Sequence, residues 1–286
     1  MASDLELPGP VVDQSWLRAH LGHPDLVVAD VRWRMAEPGG GRAAYDAGHI
    51  PGAVFVDLDN DLASAPSMDS RGGRHPLPAS GSFAAVMSGK GIGDDHVVVA
   101  YDDAGGSVAA RLWWMLDVLG HPCAVLDGGI GAWNGPTESD APERSIATFG
   151  EKPWPGKAVA DADAVADALA DGVAVVDARG PERFSGESEP IDSKAGHIPG
   201  ARNLPWAGNL GDQGTFKPRE ELRTRFSELA DGGEPPIVYC GSGVTACHDL
   251  LAMRLAGIDD ARLYVGSWSD WSSDGERPVA TKEETS

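Results

Sequence analysis

The stretch Ile237-Val-Tyr-Cys-Gly-Ser-Gly-Val-Thr-Ala-Cys-His-Asp-Leu-Leu-Ala-Met-Arg-Leu255 carries the clearest structural signature in the chain. A short β-branched and aromatic run meets a glycine-bearing turn, and beyond the turn apolar residues recur at helical spacing. A cysteine at such a strand-to-helix turn faces backbone amides at a helix N-terminus, which favours its thiolate. Gly241 and Gly243 permit the tight path and the close approach of backbone to sulfur. A free cysteine is most often a small core residue, but a core cysteine has no need of this surrounding loop. Cys240 is therefore the candidate nucleophile.

The rest of the chain repeats the surroundings of that loop. Asp30-Val-Arg, after the apolar run Leu26 to Ala29, matches Asp177-Ala-Arg after Val173 to Val176. Ala47-Gly-His-Ile-Pro-Gly-Ala53 matches Ala195-Gly-His-Ile-Pro-Gly-Ala201 residue for residue. Val97-Val-Val-Ala-Tyr-Asp102 matches Pro236-Ile-Val-Tyr-Cys240, and Gly128-Gly-Ile-Gly-Ala-Trp133 matches Gly266-Ser-Trp-Ser-Asp-Trp271. Asp102 with Cys240 and Trp133 with Trp271 are each 138 residues apart. A duplicated unit is the economical explanation, with the nucleophile replaced by Asp102 in the first copy.

Each half alternates short β-branched runs with longer helical patterns, which predicts parallel strands joined by crossover helices. Asp161 reads as the N-cap of a helix ending near Asp171-Gly172, followed by a strand Val173 to Asp177. Pro218 to Leu229 reads as a surface helix with Leu222, Phe226 and Leu229 on its buried stripe. The stretch from Asn134 to Lys157 carries Pro136, Pro142, Pro153 and Pro155 without periodicity, as a linker does. The predicted organisation is an N-terminal domain over 10–136, a linker over 137–157 and a C-terminal domain over 158–280, with a frayed tail from Pro278 to Ser286.

Bulk properties narrow the function. A chain of 286 residues accommodates two cores. Its 23 Lys and Arg against 44 Asp and Glu give a formal charge of -21, which disfavours nucleic acid and anionic membrane surfaces as partners. An anionic substrate then needs a locally positive site. No apolar stretch reaches the length of a membrane span. The first residues show neither the basic start nor the apolar run of a signal peptide. Three cysteines without CxxC spacing fit neither a disulfide framework nor a zinc site, so a cytoplasmic location, no metal and a reactive thiol are expected.

The loop Cys240-Gly-Ser-Gly-Val-Thr-Ala246, the paired GHIPGA motifs, Asp177-Ala-Arg and Gly266-Ser-Trp-Ser-Asp-Trp271 together resemble the tandem-domain rhodaneses, over nearly the whole chain. The resemblance implies an α/β fold of two rhodanese-like domains, each a mainly parallel sheet flanked by helices, with an inactive first domain and catalysis in the second. It implies a sulfurtransferase that needs no cofactor and carries sulfur as a persulfide on Cys240. The sulfur comes from a small anionic donor and leaves to a thiol, cyanide, or a thioredoxin-like or sulfur-carrier protein. The loop residues Gly241, Gly243, Val244, Thr245 and Ala246 would bind the transferred sulfur through their amides. Arg183, in Pro-Glu-Arg-Phe, matches an arginine that holds the donor. Ser242, His75 and Asp59 match a serine-histidine-aspartate relay of the 3-mercaptopyruvate branch.

That branch also commonly carries a second arginine in a Glu-Pro-Arg context, where this chain reads Glu189-Pro190-Ile191, leaving Lys194 as a possible substitute. Mercaptopyruvate is slightly favoured over thiosulfate, because the relay suits a reaction that must manage a proton and the loop lacks the cationic side chains that hold a compact dianion. A cysteine phosphatase is disfavoured because the loop ends Ala246-Cys247 rather than with an arginine. A non-catalytic rhodanese-like binding module would be expected to lose both cysteines. His49 and His197 occur in both halves and are expected to stabilise turns. Cys123 and Cys247 are expected in cores.

Overall fold

The computed structural model describes residues 5–68, 71–230 and 234–282. The chain divides into two compact units, each with its own five-stranded parallel sheet. The first unit contains Met1–Ala63, Pro78–Trp154 and Asp212–Phe216; the second contains Ser64–Leu77, Pro155–Gly211 and Lys217–Ser286.

In the first unit the strands are β1 (Val11–Val12), β2 (Leu26–Asp30), β3 (Val54–Phe55), β4 (Val97–Tyr101) and β5 (Cys123–Leu126), in the order β1-β5-β4-β2-β3. The two long strands β2 and β4 pair from Leu26↔Val97 to Asp30↔Tyr101 and are buried along their whole length. Continuous Val and Ala runs suit strands covered on both faces. Leu17, Leu26, Val28, Ile50, Val97, Val99, Tyr101 and Leu126 belong to one core cluster.

The second unit repeats this plan with β6 (Val159–Ala160), β7 (Val175–Asp177), β8 (Arg202–Asn203), β9 (Ile237–Tyr239) and β10 (Arg262–Tyr264), in the order β6-β10-β9-β7-β8. Val165, Ile198, Ile237, Tyr239, Trp268 and Trp271 build its core. The helix Ala162–Ala170 begins where expected, with the Asp161 side chain accepting the Ala164 amide at 2.8 Å. The strand after it is shorter than expected, Val175–Asp177. The expected single helix over 218–229 is two, Arg219–Arg225 and Ser227–Ala230, with Phe226 between them. Phe226 and Leu222 are fully buried, and burying Phe226 takes precedence over helical continuity.

The motifs shared by the two halves have matching structural jobs. Arg32 forks onto Asp30 and reaches the Gly48 carbonyl, while Arg179 forks onto Asp177 and reaches the Gly196 carbonyl. Each buried pair ties a strand end to its GHIPGA turn, and removing one partner of such a pair costs about 3–5 kcal/mol. His49 Nδ1 contacts the Tyr45 carbonyl at 2.9 Å and His197 Nδ1 the Phe184 carbonyl at 2.8 Å, each ring stacked on the side chain of that residue. Both histidines also form isolated bridges, to Glu138 and Ala280.

The tail is not frayed as far as Lys282: Ala280 pairs with His197, and the Lys282 amide donates to the Ser185 carbonyl. Residues 283–286 lie outside the described residues. No described helix is long and apolar enough to cross a membrane.

Ser64–Leu77 lies in the first half of the sequence but groups with the second unit. The Gly72 amide donates to Asp270 Oδ1 at 3.0 Å and the Arg74 amide to Ser269 Oγ at 3.1 Å. Gly73, at φ 77, lies so close to Gly266 that a Cβ would fall 2.3 Å from its carbonyl oxygen. Only glycine fits there.

Candidate active site

Cys240 follows β9, the middle strand of the second sheet, and the loop after it leads into the helix Ala246–Ala256. The end of a central parallel strand at a change of winding direction is where open α/β sheets bind ligands. Gly243 takes φ 75, and a Cβ there would sit 2.4 Å from the Val265 carbonyl oxygen. The loop is thereby pressed against the segment after β10.

The first unit shows what this loop geometry does for an anion. The Asp102 carboxylate, fully buried, accepts four backbone N–H groups: Ala104 and Gly106 on Oδ1, both at 2.8 Å, and Val108 and Ala109 on Oδ2, at 2.8 and 2.9 Å. By the 138-residue repeat, the counterparts of the first three donors are Ser242, Val244 and Ala246. Among the described residues, none of those three amides is paired with a protein acceptor. The fourth counterpart, Cys247, donates to the Val244 carbonyl at 3.0 Å. Convergent backbone amides of this kind bind anions.

A second repeat-related contrast lies beneath Cys240. Gly129, at φ 58, lets the backbone approach Asp102, and the Ile130 amide donates to the Asp102 carbonyl at 2.9 Å. The equivalent residue in the second unit is Ser267, the one non-glycine residue at positive φ among those described, at φ 54. Its Oγ donates to the Tyr264 carbonyl at 2.9 Å and accepts the Cys240 amide at 3.1 Å, and the Trp268 amide donates to the Cys240 carbonyl at 2.9 Å. A left-handed non-glycine residue costs about 1–2 kcal/mol. The hydroxyl that glycine lacks holds the cysteine backbone in return.

His75 and Ser242 are brought together within the second unit, His75 Nδ1 lying 2.8 Å from Ser242 Oγ, and both are buried. Asp59 belongs to the first unit, where its carboxylate accepts the Trp33 indole N–H at 2.8 Å. Cys247 and Cys123 are buried, their Sγ atoms 3.4 Å from the Gly243 and Trp113 carbonyls respectively.

Arg183 approaches Gly241: a Cβ there would meet its Nη1 at 3.2 Å and Nη2 at 3.6 Å. Arg74 comes closer, with Nη2 2.9 Å from the same point. Both guanidinium groups bond the buried Asp192 carboxylate, Arg183 at 3.0 Å, and Arg183 also forks onto Glu189. Burial pushes the Asp192 carboxyl above its ordinary range despite the opposing pull of Arg74, whereas at Glu189 burial, the largest single effect, is outweighed by the hydrogen bonds and charge of Arg183 together with the Asp192 and Ile191 amides, which hold it below. Lys194 does not take the place of a second arginine, since its Nζ donates to the Asp274 carbonyl at 2.7 Å. Ile191 is partly exposed.

The Rhodanese-like domain family matches residues 13–136 and again 161–274. The chain belongs to the rhodanese family. It is 45% identical over 279 residues to a probable 3-mercaptopyruvate sulfurtransferase of Pseudomonas aeruginosa, covering 93% of this chain and 95% of that one. It is 43% identical over 264 residues to a putative thiosulfate sulfurtransferase of Mycobacterium tuberculosis, covering 88% and 89%. Among solved structures, the Escherichia coli 3-mercaptopyruvate sulfotransferase superposes with a TM-score of 0.79 at 33% identity, covering 91% of this chain and 99% of that one. The rhodanese fold implied by the resemblance is thus the fold observed, and the chain is a sulfurtransferase.

Two residues of this rhodanese site escaped the sequence. Ser267 could have been found by setting the two copies side by side, since it replaces a glycine where the strand and loop backbones meet. Arg74 left no such signal, because it is unremarkable between Gly73 and His75.

Proposed function

We propose that the protein moves sulfur from 3-mercaptopyruvate, through a persulfide on Cys240, to a thiol-bearing acceptor. The observation that carries this reading is the pair of loops: one amide cradle closed on the Asp102 carboxylate, the other presenting the amides of Ser242, Val244 and Ala246 beside a cysteine. A persulfide anion on Cys240 would be the counterpart of the Asp102 carboxylate. Preorganised donors aimed at developing charge are among the strongest catalytic devices available to a protein.

In the first half-reaction the Cys240 thiolate attacks the donor sulfur. The new S–S bond forms as the C–S bond breaks, and the electron pair departs on the enolate of pyruvate. The donor's S–H proton is transferred to that carbon, leaving the persulfide as an anion. The Ser242 and His75 contact of 2.8 Å supports a proton route at this step, with Oγ and the imidazole exchanging the proton. Asp59 is assigned to the same relay on the family resemblance. In the second half-reaction an acceptor thiolate takes the outer sulfur and Cys240 is released as thiolate, a two-step covalent cycle. The absence of a disulfide among Cys123, Cys240 and Cys247 supports a reducing, cytoplasmic setting with a low-molecular-weight thiol or a thioredoxin-like protein as acceptor.

The test is intact mass together with steady-state rates. With mercaptopyruvate and no acceptor the chain gains the mass of one sulfur, and Cys240→Ser gains none. A kcat/KM that is higher for thiosulfate than for mercaptopyruvate overturns the donor assignment.

A further inference from the structure

Mercaptopyruvate carries a carboxylate close to its thiol, and that carboxylate needs a cationic partner within reach of Cys240. Position 191, where the mercaptopyruvate branch commonly places a second arginine, is isoleucine, and Lys194 is turned to the Asp274 carbonyl. Arg183 alone is shared between Glu189 and Asp192. Resting on the proposed function, we infer that Arg74 is the second cationic ligand of the donor carboxylate and restores through another segment the charge absent at position 191.

Three observations support it. The Arg74 and Arg183 guanidinium groups converge on one point above Gly241, 2.9 and 3.2 Å away, next in the chain to the sulfur-bearing residue. Asp192 bonds both cations and holds the two forks side by side, yet is itself buried, while the Arg74 side chain keeps 30% of its surface exposed. Arg74 is also not a loose surface arginine. Its amide is fixed to Ser269 Oγ, and the residue before it is packed without room for a Cβ against the Gly266 backbone. Paired arginine forks match the planar geometry of a carboxylate better than a lysine point charge can.

Arg183 and Arg74 then act together on the donor carboxylate: Arg183 also steadies Glu189 and Asp192, and Arg74, tied among the described carboxylates only to Asp192, turns its remaining N–H groups to the ligand. Thiosulfate has no carboxylate and depends less on the second fork, so Arg74 contributes to the choice between donors.

The experiment measures kcat and KM for mercaptopyruvate and thiosulfate in the full chain as wild type, Arg74→Ala, Arg74→Lys, Ile191→Arg and the double variant Arg74→Ala with Ile191→Arg, with intact mass recorded alongside. Arg74→Ala is expected to raise the mercaptopyruvate KM about 10- to 100-fold, the range of one charge-assisted contact. Its kcat and its thiosulfate KM should change less than about threefold, on the same scale. Arg74→Lys should recover part of the loss, and adding Ile191→Arg most of it. An unchanged mercaptopyruvate KM in Arg74→Ala overturns the inference. So does an equal loss with both donors that Ile191→Arg fails to repair, the signature of a misplaced loop. A wild type that gains no sulfur from mercaptopyruvate overturns both the donor assignment and the role of Arg74, whereas normal sulfur loading with an unmoved KM overturns Arg74 alone.

Discussion

Replacing Asp102 by alanine tests the idea that these loops are built to hold negative charge. The carboxylate is fully buried and both of its oxygens are engaged, each by two backbone N–H groups at 2.8–2.9 Å. Truncation leaves four converging donors without their acceptor. A hydrogen bond to a charged group is worth about 1.5–3 kcal/mol, but four that share one carboxylate are not additive. Water entering the vacated space would satisfy some of them. The better guide is the cost of breaking a buried charged pair, about 3–5 kcal/mol. For a unit of this size that corresponds to a fall of roughly 10 °C or more in the first unit's melting temperature. Asp102→Asn should fall between alanine and wild type, because its amide nitrogen faces two donors while its oxygen still serves the other two.

Calorimetry gives the stability, and amide hydrogen exchange gives the location: Ala104, Gly106, Val108 and Ala109 should lose protection well ahead of the β2 and β4 amides. If Asp102→Ala melts within about 2 °C of wild type, which corresponds to less than about 1 kcal/mol, the cradle is not held by its anion and its use as a template for the Cys240 loop fails.

Further expectations are open to direct measurement. Cys240→Ser should abolish transfer, while Cys123→Ser and Cys247→Ser keep most of it; substantial turnover in Cys240→Ser would remove Cys240 as the carrier. Ser242→Ala should lower kcat/KM for mercaptopyruvate by about 10²-fold, as expected for a lost proton-transfer partner, and thiosulfate much less; equal losses would count against a relay. A fragment beginning at Pro155 lacks Ser64–Leu77 and with it Arg74 and His75, so it should show almost no turnover with mercaptopyruvate, and full activity would refute their roles.

Asp249 is fully buried, with Oδ1 2.5 Å from Asn209 Nδ2 and Oδ2 unpartnered among the described residues, and burial pushes its carboxyl from 3.8 up to about 7. Between those values the folded chain keeps a proton that the unfolded chain has released, so stability falls as pH rises through that window. Asp249→Asn should therefore stabilise more at pH 8 than at pH 5, by about 2.5 kcal/mol. Urea unfolding at the two pH values decides it, and an equal effect at both would exclude this source of pH dependence.

Much of this was legible in the sequence because the duplication supplied an internal comparison. The pairing of Asp102 with Cys240, the two GHIPGA turns and the alternation of strands and helices all follow from residue types at fixed offsets. What stayed hidden depends on packing across long chain separations. The two-residue edge strands β1 and β6 are too short to leave a periodic pattern. The break at Phe226 arises from burial of one ring. The placement of Ser64–Leu77 with the second unit rests on backbone contacts at Gly72, Gly73 and Arg74, which look like any loop glycines and arginine in the sequence. Arg74 was hidden for that reason, and Lys194 was over-read because position alone does not reveal where a flexible side chain goes.

The same segment has a consequence for the birth of the protein. Arg74 and Ser269 are separated by 195 residues, and Gly72 and Asp270 by 198. At ribosomal speeds of about 5–20 residues per second, Ser64–Leu77 waits roughly 10–40 s for its partners to be made. Gly266 to Asp270, which receive it, are translated only after the Cys240 loop. Until then Arg74 and His75 have no docking surface on the second sheet. Cys240 is translated before Gly266 to Asp270, so a nascent chain, or one truncated between them, carries the thiol while Arg74 and His75 are still undocked. Synthesis of Gly266 to Asp270 thereby acts as a timer on activity.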